Sequence, residues 1–195
     1  MLTSQILLWT AVIVQGLLIA ALARQVGILH ERVAPAGALT LHQKVEVGEV
    51  ASPMTVTTIE GAPIEIGGKR EGRSQLLFFA SPDCPVCKSL LPVVRSAAGA
   101  ESDWLDVVVA GDGSKAAYER LRQASGLERV PMVLSEALGR AFGVSKLPYA
   151  VLLDDSGRVA SLGLVNSREH LESLFEAKER GVASIQDFLA RRNGA

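Results

Sequence analysis

An α/β fold with a partly parallel sheet is what this sequence predicts, and three observations carry the prediction. Short apolar runs of strand length recur at residues 76–80, 104–110 and 149–153. Segments with apolar residues at helical spacing separate them, an order that implies right-handed crossovers between parallel strands. The stretch Cys84-Pro85-Val86-Cys87 holds both cysteines of the chain and directly follows the first run, so the two thiols fall where a strand hands over to a helix.

Taken in order, residues 1–23 carry no charged side chain, and 6–23 are apolar apart from Thr10, Gln15 and Gly16. About 20 such residues match the hydrocarbon core of a bilayer, and a buried soluble helix is seldom apolar on every face. A transmembrane anchor over 1–23 is expected. A cleaved signal peptide ending near Ala21-Leu22-Ala23 is the competing reading, opposed by the missing N-terminal positive charge and by an apolar run longer than the usual 7–15 or so residues. Arg24 and Arg32 follow the run while no Lys or Arg precedes it, which by the positive-inside rule leaves the domain in the cytoplasm. A tethered dithiol instead fits an oxidising compartment, and long domains cross regardless of a few flanking charges, so the periplasmic side of the inner membrane is expected.

Residues 24–47 form a linker: 24–33 continue a helical pattern through Val26, Leu29 and Val33, Ala34-Pro35-Ala36-Gly37 breaks it, and the remainder, with His42 and Lys44, reads as a tether or docking arm. Residues 48–195 form the globular domain. Within it, 54–66 alternate around Glu60-Gly61 as a two-stranded ribbon, and a helix follows the cysteines to about residue 98. Residues 115–125 make a helix with Ala117, Leu121 and Ala124 on one side, and 136–142 a short one. Asp154-Asp155-Ser156-Gly157 is a hairpin turn into a strand over 158–162, its acids explained by turn chemistry rather than catalysis. Helices over 167–180, capped by Ser167, and 184–192 close the chain.

A formal charge of −1 and a pI near 6.3, with no basic run, exclude a nucleic-acid partner. The histidines His30, His42 and His170 stand far from the cysteines with no ligand spacing, so no metal is expected, and no cofactor. A bridge across two intervening residues removes little entropy from the unfolded chain, which makes a purely structural staple the weaker reading. Redox chemistry explains the pair better: one helical turn brings both thiols to one face, and the helix N-terminus favours a thiolate. Cys84 is expected as the exposed nucleophile and Cys87 as the shielded resolving thiol.

This order of parts resembles the thioredoxin-like superfamily, in its membrane-tethered periplasmic branch of thiol-disulfide oxidoreductases, over about residues 47–174. The resemblance rests on the lead-in 48–67, the strand before Cys84-Pro85-Val86-Cys87, the block Gly143-Val144-Ser145-Lys146-Leu147-Pro148-Tyr149-Ala150-Val151-Leu152-Leu153-Asp154 followed by Gly157, and Pro92 eight residues beyond Cys84. It implies a central mixed sheet flanked by helices, and a cis proline at Pro148 opposite the cysteines that leaves the Leu147 backbone free for an extended substrate. Asp83, Pro85, Val86 and Lys88 would tune the pair. The anchor, the chain length and Ser81-Pro82-Asp83-Cys84-Pro85-Val86-Cys87-Lys88 look most like the MauD family of methylamine utilization. That likeness implies a cysteine-rich periplasmic client, the small subunit of methylamine dehydrogenase, and a membrane redox partner.

Two departures stand out. Phe78 occupies the place of the family's buried acid, and Asp83 that of its tryptophan. Asp83 would cap the helix yet oppose ionisation of Cys84, with Lys88 offsetting it. A thiol peroxidase and a non-redox assembly factor are the rival functions; the former lacks its Pro-x-x-x-Thr-x-x-Cys setting.

Overall fold

The computed structural model describes residues 3, 5–10, 12–19 and 45–179. The chain divides into two units, Met1–Leu41 and His42–Ala195. In the first, the described residues are helical, with Leu7, Trp9, Ile13 and Leu17 among exposed apolar side chains. Among the described residues no helix is long and apolar enough to cross a membrane. Residues 1, 2, 4, 11 and 20–23 of the expected span lie outside the described residues, as do the helical continuation over 24–33, the break at 34–37, His42, Lys44 and the helix expected over 184–192.

The second unit opens with a ribbon, β1 (Met54–Thr57) paired antiparallel to β2 (Pro63–Ile66) around the turn at Glu60-Gly61. The main sheet follows: β3 (Ser74–Phe79), α1 (Pro85–Ala100), β4 (Leu105–Gly111), α2 (Lys115–Ser125), β5 (Met132–Leu134), α3 (Glu136–Ala141), β6 (Tyr149–Leu153), β7 (Val159–Leu164) and α4 (Arg168–Glu179). Its strand order is β5-β4-β3-β6-β7. β3, β4 and β5 run parallel, as the helical crossovers require, while β6 and β7 are antiparallel to their neighbours.

β3 lies at the centre, and all six of its residues are buried. Its period of two sends Leu76 and Phe78 to one face, with Leu91 and Val94 of α1, Tyr118 of α2 and Leu171 of α4. Leu77 and Phe79 go to the other, against Val56 and Ile66 of the ribbon and Leu138 of α3. A continuous apolar run is what a strand covered on both faces needs.

Three expectations are corrected. The strand expected to begin at Trp104 begins at Leu105: the Trp104 N–H turns back to the Glu101 carbonyl at 3.2 Å, and its indole meets Phe175 edge-on, centroids 5.6 Å apart, with its Nε1–H on Glu101. Ala124 is exposed and Ala117 only half-buried; of the expected face of α2, Leu121 is buried, and Tyr118 joins it there. β5 was not foreseen; it pairs with residues 109–111 of β4. The turn at 154–157 is as expected: the Asp154 carboxylate accepts from the backbone N–H groups of Ser156 and Arg158, both at 2.9 Å. Ser167 accepts from the His170 N–H at the start of α4.

Candidate active site around Cys84 and Cys87

After Phe79 the chain leaves the sheet through Ala80, whose N–H still reaches the Ala110 carbonyl at 2.9 Å, and turns through Ser81, Pro82 and Asp83. The Ser81 hydroxyl accepts from the Asp83 N–H at 3.2 Å, and the Ser81 carbonyl from the Cys84 N–H at 3.2 Å. Cys84 then adopts extended backbone angles, φ −94° and ψ 110°, and Pro85 opens α1, where its missing N–H costs nothing and its fixed φ is helical.

Cys84 itself is the helix cap: its sulfur accepts from the Cys87 N–H at 3.1 Å. This corrects the expectation for Asp83, which sits one residue outside the helix with an exposed side chain. Lys88 is also exposed, and among the described residues it forms no ion pair with Asp83. The first turn of α1 holds no acid, so nothing on the helix itself competes with a thiolate there.

The two sulfurs are joined in a disulfide with Cα atoms 5.2 Å apart. Their environments differ sharply. Cys84 is half-buried, whereas Cys87 is 0% exposed and packs in the cluster that contains Phe78, Leu91 and Tyr118. Beside them Pro85 is exposed and Val86 presents an apolar side chain to solvent. Pro92 lies within α1, which continues through it to Ala100.

The antiparallel register pairs Phe79 with Tyr149, which sets Leu147 and Pro148 at the same sheet end as the β3–α1 turn. The Leu147–Pro148 peptide bond is cis. Pro148 is buried and its carbonyl accepts from the Val165 N–H at 3.1 Å, while Leu147 is 38% exposed. A cleft of about 320 Å³ opens on the α3 side of this loop, lined in part by Ala80, Asp112, Arg140, Lys146 and Leu147.

One residue at this end escaped sequence reasoning. Tyr118 is fully buried, and its hydroxyl donates to the Ala80 carbonyl at 2.8 Å while accepting from the Asp112 N–H at 3.2 Å. Burial pushes its phenol up to about 12. The signal available in the sequence was a tyrosine three residues before Leu121 on the apolar face of α2. Among the described residues no cluster of three or more His, Cys, Asp or Glu side chains could hold a metal.

Residues 64–179 match the thioredoxin-like domain family, and the match defines the class: a thiol-disulfide oxidoreductase of thioredoxin-like architecture. In keeping with it, the thioredoxin domain of a thiol-disulfide oxidoreductase from Bacteroides vulgatus superposes with a TM-score of 0.58 at 13% identity, covering 68% of this chain and 98% of that one. The methylamine utilization protein MauD of Methylobacillus flagellatus is 40% identical over 190 residues, 97% of this chain and 92% of that protein. The MauD of Paracoccus denitrificans is 40% identical over 193 residues, 98% and 96% of the respective chains. The chain belongs to the MauD family of methylamine utilization proteins.

Proposed function

We propose that this protein is a membrane-anchored oxidoreductase that forms or reshuffles disulfides outside the inner membrane through Cys84 and Cys87. Its client in this reading is a cysteine-rich periplasmic protein, the small subunit of methylamine dehydrogenase. The observation that carries it is the asymmetry of the pair: a half-exposed sulfur at a helix N-terminus, bonded to one with no solvent access. An incoming group can reach Cys84 alone.

As an oxidant, a client thiolate attacks Cys84 Sγ. The Cys84–Cys87 bond breaks and Cys87 leaves as a thiolate. A second client thiolate then attacks the client sulfur of the mixed disulfide and expels Cys84. Two electrons have passed from client to protein, and a membrane redox partner accepts them in turn. In the reverse sense, as an isomerase, reduced Cys84 attacks first. With Phe78 in place of an acid, β3 supplies no carboxyl to exchange a proton with Cys87. Leu147 supports the reading as an exposed apolar side chain at the same sheet end as the pair, with Pro148 fixing its loop, and Asp83, Pro85, Val86 and Lys88 flank the cysteines in sequence as tuning groups.

The anchor rests on the uncharged stretch 1–23 and the periplasmic side on the chemistry of a tethered dithiol. Protease added to intact spheroplasts should digest residues 45–179; protection would place the domain in the cytoplasm. For the chemistry, Cys87→Ala should accumulate a mixed disulfide with the client and Cys84→Ala should not. Equal trapping by both variants rejects the roles assigned.

A further inference from the structure

The hydrogen bonds of Tyr118 reach the redox pair in steps. Its hydroxyl holds the carbonyl of Ala80, the last residue held by the β3–β4 ladder, whose own N–H is already fixed on Ala110. The same hydroxyl takes the Asp112 N–H just past the end of β4, so it ties the exits of two adjacent strands together. From Ala80 the chain passes to Ser81, whose hydroxyl and carbonyl hold the N–H groups of Asp83 and Cys84. One turn further on, the Cys87 N–H meets the Cys84 sulfur. The Ala80 carbonyl and the N–H groups of Asp83, Cys84 and Cys87 each take one partner in this series, so the pose of Cys84 against the helix N-terminus depends on the whole of it.

The packing around the ring is equally specific. A Cβ added at Gly111 would run into the Tyr118 hydroxyl and ring, so the phenol lies flush against the end of β4 only because position 111 carries no side chain. A hydroxyl buried at this depth stays protonated across the working range and can donate throughout.

We infer that Tyr118 is a positioning residue for the redox pair, holding the Ser81-Pro82-Asp83 turn so that the Cys87 N–H stays aimed at the Cys84 sulfur. The inference rests on the reading of Cys84 as the reacting thiol. Its chemistry has a sign. A donor aimed at Cys84 stabilises the thiolate, and with it the reduced protein. Loosening the turn raises the thiol pKa and makes the disulfide harder to reduce.

The test equilibrates the protein disulfide with two glutathione thiols, giving the protein dithiol and one glutathione disulfide, and titrates the Cys84 thiolate by its absorbance at 240 nm. Tyr118→Phe removes one oxygen and keeps the ring. It should raise the Cys84 pKa and shift the equilibrium about fivefold toward the disulfide, which is about 20 mV more negative. Gly111→Ala should shift both in the same direction by displacing the ring. A Tyr118→Phe protein with a lowered melting temperature but an unchanged thiol titration and potential has lost only packing, and overturns the inference. If Tyr118→Phe does not fold, Ser81→Ala decides: it removes the hydroxyl that holds the Asp83 N–H in the turn, at a half-buried site, and an unchanged potential overturns the inference. Wild-type protein that never exchanges with glutathione overturns the functional reading itself, and this inference with it.

Discussion

The backbone N–H of Cys87 points at the sulfur of Cys84 from 3.1 Å, so Cys84 caps α1 with the atom through which it would react. A side chain that caps a helix is held in one place and placed in the positive field of the helix end. In the reduced protein the same N–H would stabilise the Cys84 thiolate, while Cys87 lies deep in the core away from solvent. Iodoacetamide added to the reduced protein at neutral pH should therefore alkylate Cys84 at least about tenfold faster than Cys87. Peptide mass spectrometry over a time course gives both rates, and equal rates would refute the asymmetry.

Leu147 offers a test that separates client recognition from sulfur chemistry. It is an exposed leucine beside the buried Pro148, so the fold gains little from its side chain. Leu147→Glu should change stability by no more than about 0.5 kcal/mol. It should slow exchange with a folded, cysteine-rich client about tenfold, the loss of roughly 1.4 kcal/mol of apolar contact, and leave exchange with glutathione within about twofold. Parallel loss with both substrates would mean that Leu147 acts on the disulfide, not on the client.

Much of this architecture is legible in the chain because single residues carry single physical demands. Residues 76–80 had to be apolar without alternation, since β3 is covered on both faces, and Asp154 to Gly157 spell a turn in their own side chains. What stayed hidden depends on partners far along the chain. β5 has three residues, too few for any periodicity, and exists because residues 109–111 offer it a ladder. Asp83 looked like the cap because sulfur is not among the usual capping atoms. Tyr118 had the helical spacing of a core residue, and its role lies in backbone groups 38 and 6 residues away.

Gly157 closes the turn between β6 and β7 with φ of +79°, and a Cβ there would meet the Gly68 carbonyl oxygen at 2.6 Å and its carbon at 2.9 Å. Both obstacles are backbone, so neither can rotate aside. Gly157→Ala combines a strained dihedral with a backbone clash and should cost about 1–3 kcal/mol in urea unfolding, with the m-value unchanged. The redox equilibrium with glutathione should stay as in wild type, because this turn lies at the far end of β6 from Pro148. A stability within about 0.5 kcal/mol of wild type would show that the segment carrying Gly68 moves freely.

Tyr118 also sets how the fold meets alkali. Burial raises its phenol from 10.0 to about 12, with the Asp112 N–H acting in the opposite direction. The unfolded chain therefore loses the tyrosine proton first as pH rises. Between about pH 10 and 12 the folded state binds more protons than the unfolded one, so stability falls with pH, by up to about 1.4 kcal/mol per unit. Below pH 10 both states keep the proton and the contribution is whole. Burial also raises the phenol of Tyr149, which both proteins share, so wild type is to be compared with Tyr118→Phe. Tyr118→Phe should be the less stable at neutral pH, having left the Ala80 carbonyl and the Asp112 N–H without their partner, and the gap should narrow by about 2–3 kcal/mol by pH 12. Urea unfolding of both proteins at pH 8, 10, 11 and 12 measures the difference. A constant gap would mean that the phenol ionises in the folded protein as readily as in water, and that its hydroxyl is not held by the two strands.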